Sequence, residues 1–154
     1  MIRVKGRIQF NGAFATGDTK ALKAGVRDSL HDIGGVWHGG YLKMHFMSSA
    51  YWRYPGTFKK RSKSYVKRKR NDLPMVYRGT ARSHALSIGI IDASDKRVRV
   101  TFAAPRVINL SNRKNYPDLR AELTAINSEE IQRFANRLQN TLVKNVEQYP
   151  SHKE

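Results

Sequence analysis

His31, His38 and His45 stand seven residues apart, and Asp28 and Asp32 stand four apart beside the first of them. Imidazoles and carboxylates hold divalent metals and move protons, so chemistry is sought here first. On a helix, seven residues advance about 10.5 Å along the axis, so the three imidazoles cannot share one ion. Zinc on a helix takes ligands at i and i+4, as in H-E-x-x-H, whereas the residues beside these histidines include Asp32, Trp37 and Gly39. The plainer reading is boundary histidines, with Asp28 and Asp32 on a solvated helix face beside Lys23 and Arg27. Gly12, Gly17 and Gly25 form neither G-x-G-x-x-G nor G-x-x-x-x-G-K-[ST]. The expectation is a protein that is not an enzyme and has no metal, cofactor or catalytic residue.

Binding is the chemistry the chain advertises. From Arg53 to Arg70 it carries nine cations (Arg53, Lys59, Lys60, Arg61, Lys63, Lys67, Arg68, Lys69 and Arg70) and no carboxylate, with Tyr54, Phe58 and Tyr65 among them. The remaining 20 Lys and Arg face 12 Asp and Glu, so about half of the net charge of +17 lies in this one segment. Such a segment neutralises nucleic-acid phosphates, docks on an acidic protein surface, or is simply solvated. The aromatics stack on bases in the first case and anchor an interface in the second. The candidate partner-binding or nucleic-acid-binding residues are those nine cations with Tyr65, on an arm expected at about 53–72.

Around the arm, the elements follow from periodicity. The chain of 154 residues suits one domain with its own core, with a flexible tail at about 149–154. Ile2, Val4, Ile8 and Phe10 alternate with cations and predict a short strand closed at Asn11-Gly12. Asp18 offers a helix cap, and Leu22, Val26, Leu30, Ile33, Trp37 and Tyr41 form one helical stripe to about Met47. Inside that helix Gly25, Gly34, Gly35, Gly39 and Gly40 would each cost about 0.8–1 kcal/mol against Ala. They predict a kink or break near Gly34-Gly35 or Gly39-Gly40, or else close approach of a neighbour.

Beyond the arm, Asn71-Asp72-Leu73-Pro74 reads as a turn. Residues 82–91 and 96–103 are expected as an antiparallel hairpin joined by Asp92-Ala93-Ser94-Asp95, with Leu86, Ile88 and Ile90 opposite Val98, Val100 and Phe102. Residues 105–121 read as irregular and basic. A closing amphipathic helix is expected from about Ser128 to Gln148, capped at Asn127, with Ile131, Phe134, Leu138, Leu142 and Val146 as its apolar stripe. The fold class is therefore α+β: N-terminal strand, long helix, basic loop, small antiparallel sheet and C-terminal helix. No window reaches the roughly 20 apolar residues of a membrane span, and the opening residues alternate instead of forming an apolar leader block, so neither secretion nor membrane insertion is expected.

This order of elements resembles the tail-completion and virion-morphogenesis proteins of tailed phages, which join head to tail at the neck. The residues that carry the resemblance are Ser62-Lys63-Ser64-Tyr65-Val66-Lys67-Arg68-Lys69, then Met75-Val76-Tyr77-Arg78-Gly79-Thr80-Ala81-Arg82 with Ser83, Leu86 and Ser87, and finally Tyr116-Pro117-Asp118-Leu119 before the last helix. Gly79-Thr80 stands where the family more usually has Thr-Gly, and 103–115 lacks the family's signature between hairpin and closing helix. The resemblance implies a homo-oligomeric ring around the DNA channel of the virion, assembled in the host cytoplasm. Its partners would be other neck or connector proteins and tail-tube or terminator proteins, with Gly79 and Thr80 as an interface turn and contact with DNA in the channel.

Overall fold

The computed structural model describes residues 19–75, 80–87, 89–103 and 117–147. The expected N-terminal strand, the cap at Asp18, Gly79 of the interface turn, Ile88, most of the irregular basic stretch and the C-terminal tail lie outside them. In chain order the elements are α1 (Thr19–Val36), a π-helical turn (Trp37–Tyr41), a 3-10 segment (Leu42–Phe46), α2 (Ala50–Arg53), α3 (Lys63–Lys69), α4 (Thr80–Leu86), β1 (Ile90–Ala93), β2 (Val98–Thr101), α5 (Leu119–Leu123) and α6 (Ser128–Glu147). The described residues form a mixed fold, with long helices near both of their ends and, among them, one two-stranded sheet. None of the described helices is long and apolar enough to cross a membrane. The described residues gather into two compact units, each assembled from stretches distant in sequence.

The first unit contains most of α1 and α6 and the hairpin as far as Val100. Leu30 and Ile33 of α1 are buried, as are Phe134, Leu138 and Leu142 of α6, so both expected stripes point inward over these positions. Ile131 is the exception at 59 % exposed, and Glu130 beside it is fully buried. Arg137 donates from Nε and Nη2 to the two carboxylate oxygens of Asp32, at 2.7 and 3.1 Å, which joins α6 to α1.

The glycines of α1 divide by function. The helix runs through Gly34-Gly35 without a break, because Gly34 is where the sheet meets it. A Cβ there would lie 2.8 Å from Cγ2 of both Ile91 and Val98 and 3.3 Å from Cγ2 of Val100. The regular α geometry instead ends at Val36, and Gly39-Gly40 sit in the π-helical turn that follows. Among the described residues, a Cβ at either would meet nothing within 4 Å. Two adjacent residues of poor helix propensity, with no packing to offset them, let the backbone widen and then tighten into the 3-10 segment.

The hairpin is shorter than its sequence pattern suggests. Residues 82–86, expected as strand, are helical in α4: Ala81, Ala85 and Leu86 favour helix, and Ala85 is fully buried. The strand begins only at Ile90, and its phase is set by Ile91, which packs over Gly34. Ile90, expected to face inward, is 69 % exposed, because a shift of one residue turns every side chain to the other face. Val98 and Val100 face the core as expected. The four-residue connection makes the pair antiparallel, and Ser94 closes it: its N–H donates to the Arg97 carbonyl at 2.8 Å.

The second unit holds the 36–90 and 101–128 stretches. Its core is aromatic. Trp37, Leu42, His45 and Phe46 from the turn region are buried with Ala50 of α2, Tyr54 and Phe58 beyond it, Ala85 of α4 and Leu123 of α5. His38 makes a ring-nitrogen hydrogen bond with the Ala85 carbonyl at 3.1 Å, and a Cβ on Gly89 would fall 2.9 Å from that ring nitrogen. Gly89 therefore lets the backbone pass against the imidazole. Asp118 caps α5, its Oδ1 accepting from the N–H groups of Arg120 and Ala121 at 3.0 Å.

Candidate docking site on a basic helix

The carboxylate-free stretch from Arg53 to Arg70 is not a uniform loop. It begins in the core of the second unit, where Tyr54 and Phe58 pack with ring centroids 5.4 Å apart, in one cluster with Ala50 and against Tyr51, Met75 and Ala125. Two of the three aromatics expected to stack on bases or anchor a partner, Tyr54 and Phe58, are 2 % and 6 % exposed. Tyr54 also closes on His45, at 4.7 Å between ring centroids, with Trp37 and Phe58 edge-on to the same imidazole.

The chain is then pinned by a cation. Arg61 forms a two-pronged ion pair with Glu122 of α5, Nη1 to Oε1 at 2.9 Å and Nη2 to Oε2 at 2.6 Å, and both side chains are almost completely buried. The same guanidinium donates to the Lys59 carbonyl at 3.1 Å. Burial opposes charge on Arg61, yet the hydrogen bonds and field of Glu122 outweigh it and raise its pKa above the ordinary value. Arg61 is thus a structural residue and is unavailable to a partner.

Immediately after this pin the chain forms α3. Ser62 is the N-cap, its Oγ accepting from the Tyr65 N–H at 3.2 Å. Arg70 ends the helix in the left-handed region at φ 56°, with its N–H on the Val66 carbonyl at 2.7 Å. The cations Lys67, Arg68 and Lys69 fill the last turn, where the helix dipole favours positive charge. Beyond the helix, the Tyr51 hydroxyl donates to the Asp72 carbonyl and ties the far end back to α2.

Exposure within α3 follows the helical period. Tyr65, Val66 and Lys69 are half-buried, whereas Lys63, Ser64, Lys67, Arg68 and Arg70 are exposed, as are Lys59 and Lys60 before the helix. Arg53, at the end of α2, is half-buried, and its carbonyl accepts from Asn127 Nδ2 at 3.2 Å. The sequence candidates therefore separate into Arg61, consumed internally; Arg53, Tyr65 and Lys69, held partly inside; and six outward cations. Among the described residues, none of those six side chains forms an ion pair. Thr80 opens α4.

No family model, curated protein or solved structure matches this chain. Among the described residues, no group of three or more His, Asp or Glu is arranged to hold a metal. His31 is exposed, His38 bonds to Ala85, and His45 is sealed among aromatic rings, so the seven-residue spacing brings no histidines together. Asp28 pairs with Arg27 and Asp32 with Arg137.

Two residues central to this site carry little signal in the sequence. Glu122 lies in a stretch too short for a periodic signal, although a carboxylate flanked by Ala121 and Leu123 is a hint of burial. His45 is fully buried with neither ring nitrogen hydrogen-bonded, and Trp37 Nε1 is likewise unpartnered. Burial drives the His45 pKa down to about 4; the Glu122 and Leu123 backbones oppose that shift without completing a hydrogen bond, and the Arg53 charge adds to it.

Proposed function

We propose that this chain is a structural virion protein of a tailed phage, a tail-completion or neck component whose copies form a ring joining the head connector to the tail around the DNA channel. The observation that carries the reading is the division of labour within residues 53–70. Tyr54, Phe58 and Arg61 fix the segment to its own unit, and Lys59, Lys60, Lys63, Lys67, Arg68 and Arg70 project from it. A pre-organised cationic element is a docking device, because the entropy of ordering it is spent in folding and charge complementarity sets its register. The sequence resemblance to neck proteins, carried by residues 62–69, 75–87 and 116–119, is the second support for the reading.

On this reading the protein is not an enzyme and needs no cofactor. Its partners are further copies of itself, connector and tail proteins, and the DNA they enclose. The rival reading, a small nucleic-acid-binding protein using the same 53–70 segment on the phosphate backbone, keeps the outward cations but not Tyr54 and Phe58 as base-stacking residues, because both belong to the core. Replacing Lys67, Arg68, Lys69 and Arg70 with Ser in cells that make the particles is the test. The variant is expected to keep its circular dichroism spectrum and to be missing from purified particles. Particles that incorporate it normally would remove the basic segment from the docking role.

A further inference from the structure

We infer that the outward face of α3 is a seat for the phosphate backbone of duplex DNA, bound without regard to base sequence. The inference rests on the neck reading, which places DNA beside the subunit, and goes further in assigning the occupant of the basic face.

Three observations favour phosphates over an acidic protein. The first is composition. Protein interfaces draw affinity from buried aromatics and are depleted in lysine. Here the aromatics of the segment are spent in the core, Tyr65 is half-buried on the inner side of α3, and four of the six outward cations are lysines. A phosphate backbone asks only for cations at a suitable spacing.

The second is spacing. Lys63 and Lys67 are one helical step of four residues apart, and Arg70 follows three further on at the cap. Each four-residue step advances about 6 Å, which spans three to four of the duplex charges that recur about every 1.7 Å along its axis. Arg68 extends the charged surface to one side, with Lys59 and Lys60 preceding the helix.

The third is rigidity. The Arg61–Glu122 pair holds one end of the element, the Tyr51–Asp72 hydrogen bond the other, and Ser62 and Arg70 cap the helix between them. The nearest carboxylate downstream in the chain, Asp72, lies beyond the cap. The cations are therefore displayed at fixed spacing without an acidic side chain among them.

The test is fluorescence anisotropy with the full chain and two short duplexes of unrelated sequence, titrated from about 50 to 200 mM salt. With six phosphates neutralised the slope of log K against log salt is about −5, a loss of about 2,000-fold across that range. The variant Lys63→Gln, Lys67→Gln, Arg70→Asn removes three of the six; Asn suits the left-handed cap. Its loss is expected to shrink to about 40-fold, equally on both duplexes. The charge-matched control Lys23→Gln, Lys96→Gln, Arg97→Gln, at exposed positions elsewhere, is expected to behave as the unaltered protein.

Equal slopes for the two variants would overturn the inference, because the binding would then be a property of net charge alone. So would failure to bind duplex at 200 mM salt while polyglutamate binds, which would assign the face to an acidic protein. Light scattering on the same samples without DNA keeps the two claims apart. Oligomers that ignore DNA would sink this inference and leave the neck reading standing; a monomer that binds duplex through α3 would do the reverse.

Discussion

His45 gives the sharpest test of the core of the second unit, and its effect has a definite sign. The imidazole is fully buried against Trp37, Tyr54 and Phe58, and its pKa falls from the usual 6.5 to about 4. Between those values the unfolded chain binds a proton that the folded chain refuses, so stability rises with pH across this window and is lost as pH falls. From pH 8 to pH 5 the loss attributable to His45 is about 2 kcal/mol, with a ceiling near 3 kcal/mol below pH 4. His45→Phe removes both orphaned nitrogens and keeps a ring in the cluster. Its stability at pH 8 is expected to match the unaltered protein to within about 1 kcal/mol or exceed it, since no hydrogen bond is lost. The assay is urea denaturation of both proteins at half-unit steps from pH 8 to 4.5. The difference between the two curves isolates His45 from the carboxylates and the other histidines. A difference that stays constant over the whole range would refute the reasoning, as it would mean that His45 protonates in the folded state without penalty.

Three further perturbations test other joints. Gly34→Ala and Gly35→Ala gain the same helix propensity of about 1 kcal/mol, but the first forces a Cβ to 2.8 Å from two β-branched side chains while the second meets only Ile91 Cδ1 at 3.6 Å. Denaturant midpoints should place Gly34→Ala about 1–3 kcal/mol below Gly35→Ala, and equal midpoints would mean that the sheet does not rest on Gly34. Glu122→Gln leaves the Arg61 charge buried without its counter-ion and is expected to cost about 3–5 kcal/mol, whereas the paired change Arg61→Met, Glu122→Leu should cost far less in the same urea titration. Ser62→Ala removes the cap of α3 for about 1 kcal/mol and should speed hydrogen exchange at the Val66 and Arg70 amides several-fold, with the core amides unchanged.

What the sequence made legible was decided by length and period. The twenty residues of α6 carry enough turns for the spacing of Phe134, Leu138 and Leu142 to declare a helix and its buried side. Ile131 shares that spacing yet lies outside, because periodicity marks a face and not how far its covering extends. In α1 the glycines announced a special backbone but not which kind: Gly34 serves packing and Gly39-Gly40 serve a change of helical pitch, and only the neighbours distinguish them. Over residues 82–90 the apolar alternation competed with the helix preference of Ala81 and Ala85, and burial of Ala85 in the second unit settled it.

The basic segment was legible as charge and opaque as structure. Nothing local separates Arg61 from its eight companions; it is set apart by Glu122, 61 residues away. Tyr54 and Phe58 looked like contact residues because they stand among cations, and their burial depends on His45 and Trp37, which long-range folding brings to them. Charge patterning thus found the segment, and tertiary contacts chose which of its side chains remain exposed.

Whether this chain is an assembly subunit is decided by the mass of the purified protein at near-physiological salt, measured by light scattering without nucleic acid. The account predicts a defined oligomer whose fraction grows with protein concentration. A single chain at every concentration, converted to a larger species only when duplex DNA is added, would contradict it.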